Sequence, residues 1–564
     1  MQAIAMILLL LVLSSLVPLA LVRSFRRKPY PPGPRSFPIV GNLLQLPASH
    51  QWVKFQEWAE QYGPIFHLQA GPEHIVVLNT PELADEFLVK RGRVFSDRPC
   101  PHVAADIVSA GQRQLFLPAS AVEFKVIRKA NHSELGPTPV RQYRRYQELE
   151  SRVLLHDFVE HGYKSADMMA EGLGRSSDSD FMNLHWFSLV RRFATSVVMI
   201  VMYGERVHAI RGNKSLSALY EILENLNAVS LPGSFLADTF TFLQYLPDIL
   251  APWRVKAVKM HEKELDLYGG FLKRIEADHK VGINRVDCFV GKYLKAREAS
   301  TDEIVSGGGV SPSGWIRDLL LTYVAGSAIE AGSDTTASSI MSFILFMLWY
   351  PEVLKKAREE VDRVVGSDRL PTFEDEEQLP YVIACIKELL RCRPPTPVGI
   401  PHRSSEDVFY NGYFIPKGSL VFGNVWTMQM DPVRFSNPRK FVPERWFTKG
   451  TNGKSSGSMK LTNNGPNRDN YTFGWGLRFC QGMHLAEASL FIAISRIIWG
   501  LDFEGSIPLD PWDEKNYIGG FAINPLPFSA AFRARTPKHA EIIRRSYEEA
   551  QGQWETLGMQ KDVR

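Results

Sequence analysis

The stretch Phe473-Gly474-Trp475-Gly476-Leu477-Arg478-Phe479-Cys480-Gln481-Gly482 runs directly into a strongly apolar segment, Met483 to Trp499, that reads as a buried helix. It sets one cysteine at a helix N-terminus. There the positive end of the dipole and unpaired N–H groups favour a thiolate, the form of sulfur that ligates a metal. Gly474, Gly476 and Gly482 predict a backbone able to approach something flat and bulky, and Arg478 places a permanent cation beside it. Taken alone, Cys480 reads most simply as a small buried hydrophobe, because unpaired cysteines are among the most buried residues.

Working outward, the chain has 564 residues, 45% hydrophobic and 22% charged, the mix of a globular protein with a large core. A net charge of +4 over that length gives no reason to expect a nucleic-acid partner. The cysteines at 100, 288, 385, 392 and 480 form no Cys-x-x-Cys pair, which speaks against a disulfide framework and a zinc site and for a reducing, cytosol-facing setting. Ala3 to Val22 is an uncharged apolar run, interrupted by Ser14, Ser15 and Pro18, long enough to cross a bilayer as a helix. Arg23, Arg26, Arg27 and Lys28 follow it. That order suits an uncleaved signal anchor with everything downstream in the cytosol. Pro29 to Pro34 then reads as a stiff extended spacer. The expected organisation is an anchor at 3–22, a basic and proline-rich hinge at 23–34, one large catalytic domain at 35–540, and a tail at 541–564.

Short strands are expected at Ile65 to Gln69 and Ile75 to Leu78, beside a helix. From Arg141 to Leu390 apolar residues recur at three- and four-residue spacing, which predicts helices. Ile400 to Gly423 returns to extended pieces with turns at Asn411-Gly412 and Pro416-Lys417-Gly418. Ala299 to Gly314 and Lys449 to Asp469 read as loops. The predicted class is mainly α with a small β part.

Phe473 to Gly482 resembles the haem-binding loop of the cytochrome P450 family, and a haem with two propionates meets each of its features. The proline-rich hinge resembles that of membrane-bound members. The resemblance, running from about Pro31 to Arg535, implies the cytochrome P450 fold, haem b as cofactor and Cys480 as the ligand to its iron. Within the apolar segment Trp315 to Tyr350, Ala331-Gly332-Ser333-Asp334-Thr335-Thr336 is a poor helix former and could mark a break. In a buried helix, Gly332 would open a groove and Thr335 could bond back to the preceding turn. It resembles the family's distal-helix motif, which implies that Asp334 and Thr335 pass protons to dioxygen being reduced at the haem. Glu388 and Arg391, at i and i+3, are by themselves most simply a surface pair. With Pro443-Glu444-Arg445-Trp446 they resemble a Glu-x-x-Arg helix and its partner segment, implying that Glu388, Arg391 and Arg445 form a buried network behind the haem loop.

The resemblance further implies Arg128, His402 and Arg478 as partners of the haem propionates. The family's Trp-x-x-x-Arg pattern is departed from at Phe124, so an indole N–H donor is missing. Ala328, Ala331, Val398, Ile400, Phe521 and Ala522 fall at the family's substrate-contact regions, and all are apolar, as a hydrophobic small molecule requires. The loop from Pro101 to Pro118, which should cover the pocket, presents no charged anchor. No Gly-x-Gly-x-x-Gly opens a helix after a strand. Electrons are therefore expected from a separate protein, which the resemblance implies is an NADPH-cytochrome P450 reductase passing them from NADPH; Lys125, Lys129, Arg141, Arg144 and Arg145 form a basic stretch that could meet it. The implied activity is hydroxylation or epoxidation by a single-pass protein of the endoplasmic reticulum membrane. Tyr203-Gly204-Glu205-Arg206 and Pro247 to Trp253 resemble fungal secondary-metabolism members. Oxidative coupling, ring closure or desaturation is the alternative within the same chemistry, and a non-enzymatic haem sensor or carrier lies outside it.

Overall fold

A computed structural model describes residues 28–47, 49–162, 186–208, 213–230, 234–282, 287–300, 303, 305–449, 455–459, 468–505, 509–518 and 522–559. The expected membrane anchor at 3–22 lies outside these residues. Helix α1 (Gln51–Tyr62) buries Trp52, Phe55 and Trp58, three residues apart on one face. The face packs on a hairpin of β1 (Ile65–Ala70) and β2 (Glu73–Leu78), turned at Gly71 with φ +59°. Phe55 meets Phe66 and Phe422 edge-on at 5.9 and 5.8 Å between ring centres.

The helical body comprises α2 (Val122–Leu135), α3 (Arg144–His161), α4 (Phe187–Tyr203), α5 (Lys214–Ser230), α6 (Pro252–Glu264), α7 (Gly270–Lys280), α8 (Phe289–Glu298), α9 (Asp318–Trp349), α10 (Pro351–Val364) and α11 (Pro380–Cys392). Helix α9 has 32 residues and is apolar on nearly every side, so it runs through the core with α4 packed along it. The poor helix formers at 331–336 do not break it. Ser333 Oγ and Thr335 Oγ1 donate to the carbonyls of Ile329 and Ala331 at 2.7 and 2.8 Å, satisfying the hydroxyls within the helix. The chain then turns by 108° at Tyr350, where Pro351 ends one helix and opens the next.

β3 (His402–Arg403), β4 (Val408–Tyr410), β5 (Tyr413–Ile415) and β6 (Leu420–Gly423) follow. β4 and β5 form the hairpin predicted at Asn411-Gly412, where both turn residues have positive φ (+47° and +83°). The main sheet has the order β1-β2-β6-β3, with β2 and β6 parallel and the other neighbours antiparallel. β7 (Phe447–Lys449) pairs with β8 (Ser455–Met459), so part of the span read as a loop is a strand pair. Helix α12 (Met483–Gly500) is apolar and long enough to cross a membrane, but fourteen of its eighteen residues are buried inside the fold, which makes it a core helix. Behind it come β9 (Leu501–Glu504), β10 (Tyr517–Ile518), β11 (Asn524–Pro525) and β12 (Ala531–Ala534).

The C-terminal residues correct one expectation. Instead of a tail from 541, α13 (Pro537–Thr556) docks against α3 through Ile542, Ile543, Ser546, Ala550 and Trp554. Trp554 stacks on Tyr146 and lies under the Arg206 guanidinium, which also binds the buried Glu150 at 2.6 Å.

Candidate active site

Residues 471–482 close on themselves through Cys480 N–H to Phe473 O at 2.9 Å, and α12 begins directly after. Both neighbours of Cys480 are pinned to α2. Arg128 Nη1 donates to Phe479 O at 2.8 Å, Gln481 Nε2 to Arg128 O at 2.8 Å, and Asn131 Nδ2 to Gln481 Oε1 at 3.1 Å. The cysteine side chain is therefore held at both flanks while it remains exposed. Burial by the surrounding protein nevertheless pushes its thiol up, against the N–H groups of Gly482 and Met483 and the Arg128 guanidinium. The helix terminus alone does not make it a thiolate, whereas a coordinated metal ion deprotonates a thiol outright.

The glycines divide the work differently from the sequence reading. Gly474 takes φ +76°, and a Cβ there would meet only the Arg478 carbonyl oxygen, at 3.8 Å. Gly476, at φ +53°, lies against the Leu88 carbonyl, where a Cβ would sit 2.2 Å from the oxygen. Its role is to seat the loop on the turn at 85–90, not to face a ligand. Gly476→Ala is expected to lose about 1–2 kcal/mol to the left-handed backbone alone, plus the clash. The check is the haem absorbance per mole of purified protein, which should fall clearly below wild type; full loading would show that Leu88 gives way.

The three residues expected at the propionates, Arg128, His402 and Arg478, do converge, and a further arginine joins them. His402 is buried and its Nδ1–H donates to Phe95 O at 2.6 Å. Burial, then Arg98 and Arg478, hold it well below its ordinary range. Arg478 donates through Nε to Ser96 O at 2.7 Å and through Nη2 to Leu117 O, with its guanidinium 4.0 Å from the Phe124 ring centre. Phe124 therefore offers a ring face where the family pattern has an N–H donor. Burial lowers Arg478 to about 10, opposed by Asp97 and assisted by Arg128. Arg98, which sequence reasoning missed, donates to Ile400 O and Pro401 O at 2.6 and 2.7 Å. It arrives because Asp97 bridges to Arg403, one residue from His402. Burial pushes Arg98 down, with Arg478 adding to it. Arg98 Nε and Ser96 Oγ are buried without a hydrogen-bond partner. Buried cations that depress one another, with orphaned donors among them, suit a dianionic group. The residues present thus fit the two propionates of a haem beside Cys480.

Glu388, Arg391 and Arg445 come together as one buried network. Glu388 accepts from Arg391 Nε and Nη2 at 2.9 and 2.8 Å, from Arg445 Nε at 2.9 Å, from Val442 N at 2.9 Å, and from Trp446 Nε1 at 3.1 Å. Arg391 Nη1 continues to Gln429 O, and Gln429 Oε1 accepts from Tyr471 N at 2.9 Å. This links the network to the first residue of the cysteine loop. Thr472 Oγ1 adds a bond to Leu390 O at 3.1 Å.

On α9, Ala331 is exposed and Ser327, Ala328, Gly332, Asp334 and Thr335 are partly so, in a helix that is otherwise buried except at its two ends. Gly332 opens no groove. Its missing side chain is filled by Val198 of α4, whose Cγ2 would lie 3.0 Å from a Cβ, because the two helices cross closely there. Asp334 accepts from Asn524 Nδ2 at 3.1 and 3.4 Å, and burial pushes its carboxyl up against the pull of Arg191 and Asn524. Thr335 spends its hydroxyl on Ala331 O, so its proton is not aimed at a ligand in this state. Of the expected pocket residues, Ala328, Val398 and Ile400 are partly buried, Ala522 is buried, and Phe521 lies outside the described residues.

The cytochrome P450 family model matches residues 31–532. The chain is 44% identical to cytochrome P450 monooxygenase 69 of Postia placenta over 96% of each chain. It is 34% identical to cytochrome P450 monooxygenase fogE of Aspergillus ruber, over 89% of this chain and 85% of that one. With cytochrome P450 monooxygenase virE of Hypocrea virens it shares 33% identity over 94% of this chain and 91% of that one. The haem-fitting cysteine loop and these relatives agree, and the chain belongs to the cytochrome P450 family as an oxidoreductase of its monooxygenase kind.

Proposed function

We propose that this protein is a membrane-bound haem-thiolate monooxygenase that hydroxylates or epoxidises a hydrophobic small molecule in fungal secondary metabolism. It would carry haem b and draw two electrons from NADPH through a separate NADPH-cytochrome P450 reductase. The observation that carries the reading is Cys480, pinned at both flanks to α2 while its own side chain stays exposed and unpaired with any other side chain among the described residues. When bound, the haem supplies activation of dioxygen, which a thiolate ligand favours over simple electron carriage. Cys480 Sγ would hold the iron, while Arg98, Arg128, His402 and Arg478 would hold the propionates. Asp334 would store a proton, a task suited to a carboxyl raised by burial and steadied by Asn524. Apolar Ala328, Ala331, Val398, Ile400 and Ala522 suit a substrate held by shape.

Exposed apolar side chains at Ile39, Leu44, Phe242, Tyr245 and Ile249 support a membrane surface as the working environment, in keeping with an anchor at 3–22 in the endoplasmic reticulum. Lys125, Lys129, Arg141 and Arg145 are exposed and available to an acidic reductase, while Arg144 is paired with Glu376 at 3.1 Å.

The test is reconstitution with reductase, NADPH and isotopically heavy dioxygen against a panel of apolar small molecules. One heavy oxygen atom per product molecule is expected. Turnover into an unlabelled product would replace this reading with coupling, ring closure or desaturation. Asp334→Asn is expected to cut product formation by about a hundredfold or more while NADPH oxidation continues. Unchanged product formation would remove Asp334 from the chemistry and favour a haem protein with no catalytic role.

A further inference from the structure

The loop from Pro101 to Pro118 does have a charged anchor, which only the fold reveals. Arg113 is 1% exposed and lies between two carboxylates: Nη2 donates to Glu264 Oε1 of α6 at 2.6 Å, and Nη1 donates to Glu330 Oε2 of α9. Glu264 and Glu330 are 1% and 5% exposed. Tyr268 OH donates to the other oxygen of Glu330 at 2.6 Å. Its ring fills the space where Gly326 lacks a side chain, because a Cβ there would fall 2.5 Å from the ring. Glu330 lies one helical turn ahead of Asp334 on α9.

The residues on either side of Arg113 tie the loop in two further directions. Gln112 Oε1 accepts from Gly309 N at 2.8 Å, and Gly308 lies so close that a Cβ would meet the Gln112 amide at 2.8 Å. Gln114 Nε2 donates to Gln481 Oε1 at 3.3 Å, next to Cys480, and Gln114 O accepts from Arg478. Farther back, Val108 O accepts from Tyr323 OH of α9 at 2.8 Å. Three consecutive side chains thus fasten the loop to the segment before α9, to α9 and α6, and to the cysteine loop.

A buried guanidinium with two acids is a poor way to gain stability, since all three groups lose their hydration. Apolar residues of the same volume would pack as well. What the triad supplies is register: it holds only when loop, α6 and α9 are together. Glu264 is pushed up to about 7 by burial, with Arg113 opposing and Glu330 adding.

We propose that Arg113 is a positioning residue that fastens the 101–118 loop over α9 through Glu330 and Glu264, and so governs how readily a ligand reaches the exposed Cys480 and Ala331. The role in ligand access rests on the haem reading above. The fastening itself does not.

Full-length haem-loaded wild type, Arg113→Met and Glu264→Gln are compared by amide hydrogen exchange and by the association rate of phenylimidazole, followed by its spectral shift on binding haem iron. Arg113→Met is expected to speed exchange across 103–117 by about tenfold and to raise the association rate by a similar factor. Exchange in 380–392 and 471–482 should stay as in wild type. Glu264→Gln should move both readouts in the same direction by a smaller factor. Unchanged exchange in the loop for both variants would overturn the proposal. So would equal acceleration throughout the chain, which marks a merely structural role. If Arg113→Met does not fold, Glu264→Gln decides: local acceleration supports the fastening, and none overturns it. A wild-type protein that shows the local response but no thiolate-type carbon monoxide spectrum keeps the fastening and loses the haem reading.

Discussion

Cys480→Ser is expected to abolish the carbon monoxide spectrum of a reduced haem-thiolate protein and to lower turnover by orders of magnitude, because a serine hydroxyl does not replace a thiolate as iron ligand. The change should leave the fold intact. Cys480 Sγ has no hydrogen bond to another side chain among the described residues, and the contacts that fix its flanks come from Phe479 O and from Gln481. The distinction matters for the measurement. Far-ultraviolet circular dichroism and thermal unfolding should resemble those of wild type prepared without haem, while the haem-dependent spectrum disappears. Retention of the thiolate spectrum in Cys480→Ser would remove Cys480 as the ligand. Exposed Cys100, whose thiol burial pushes up and which lies before the 103–108 turn, would be the next sulfur to test.

Glu388→Gln is expected to prevent accumulation of folded, haem-loaded protein. Glu388 is fully buried and its two oxygens accept five hydrogen bonds, three of them from guanidinium groups. An amide keeps the shape but removes the charge and turns one acceptor into a donor facing other donors. Breaking a buried ion pair from one side costs about 3–5 kcal/mol, against a total stability of about 5–15 kcal/mol for a folded protein. The damage should spread in a defined direction. Arg391 loses its orientation, then Gln429, then the amide of Tyr471 that begins the cysteine loop. Haem content should therefore fall more steeply than helix content, read by haem absorbance and circular dichroism on the same sample. Arg391→Lys makes a milder companion, since it keeps the charge but loses the two-pronged contact. Equal haem content in wild type and Glu388→Gln would show that the network does not support the loop.

These two residues also show what was legible before the structure. Glu388 and Arg391 are three apart, so their meeting follows from helix geometry alone, and Arg445 was found by resemblance. Trp446 and Gln429 were not found. Gln429 reaches Tyr471 across 42 residues of chain, a distance over which local spacing carries no information. Arg98 and Arg113 are single arginines in segments without periodicity, and their partners lie hundreds of residues away. The C-terminal helix could have been seen: Ile542, Ile543, Ser546, Ala550 and Trp554 recur at three- and four-residue spacing beyond Thr536, which caps the helix by accepting from His539 N. Gly332 shows the opposite failure. A glycine in a buried helix signals close approach, and nothing in the helix says from which side it comes.

The sequence by itself determined the motif that carries the family resemblance, one cysteine in a glycine-rich loop before an apolar helix. It also located the β1–β2 strands, the turn of the β4–β5 hairpin and the helical stretch from 141 to 390, because periodicity and turn residues act between near neighbours in the chain. The tertiary structure alone decided which charges meet. Packing brought three arginines and a neutral histidine to one place, seated Gly476 on Leu88, turned Asp334 toward Asn524, and threaded Arg113 between Glu264 and Glu330. Those contacts exist because burying the apolar faces of α4, α9 and α12 carries distant segments together. Once there, each buried charge needs a partner that no stretch of its own sequence supplies.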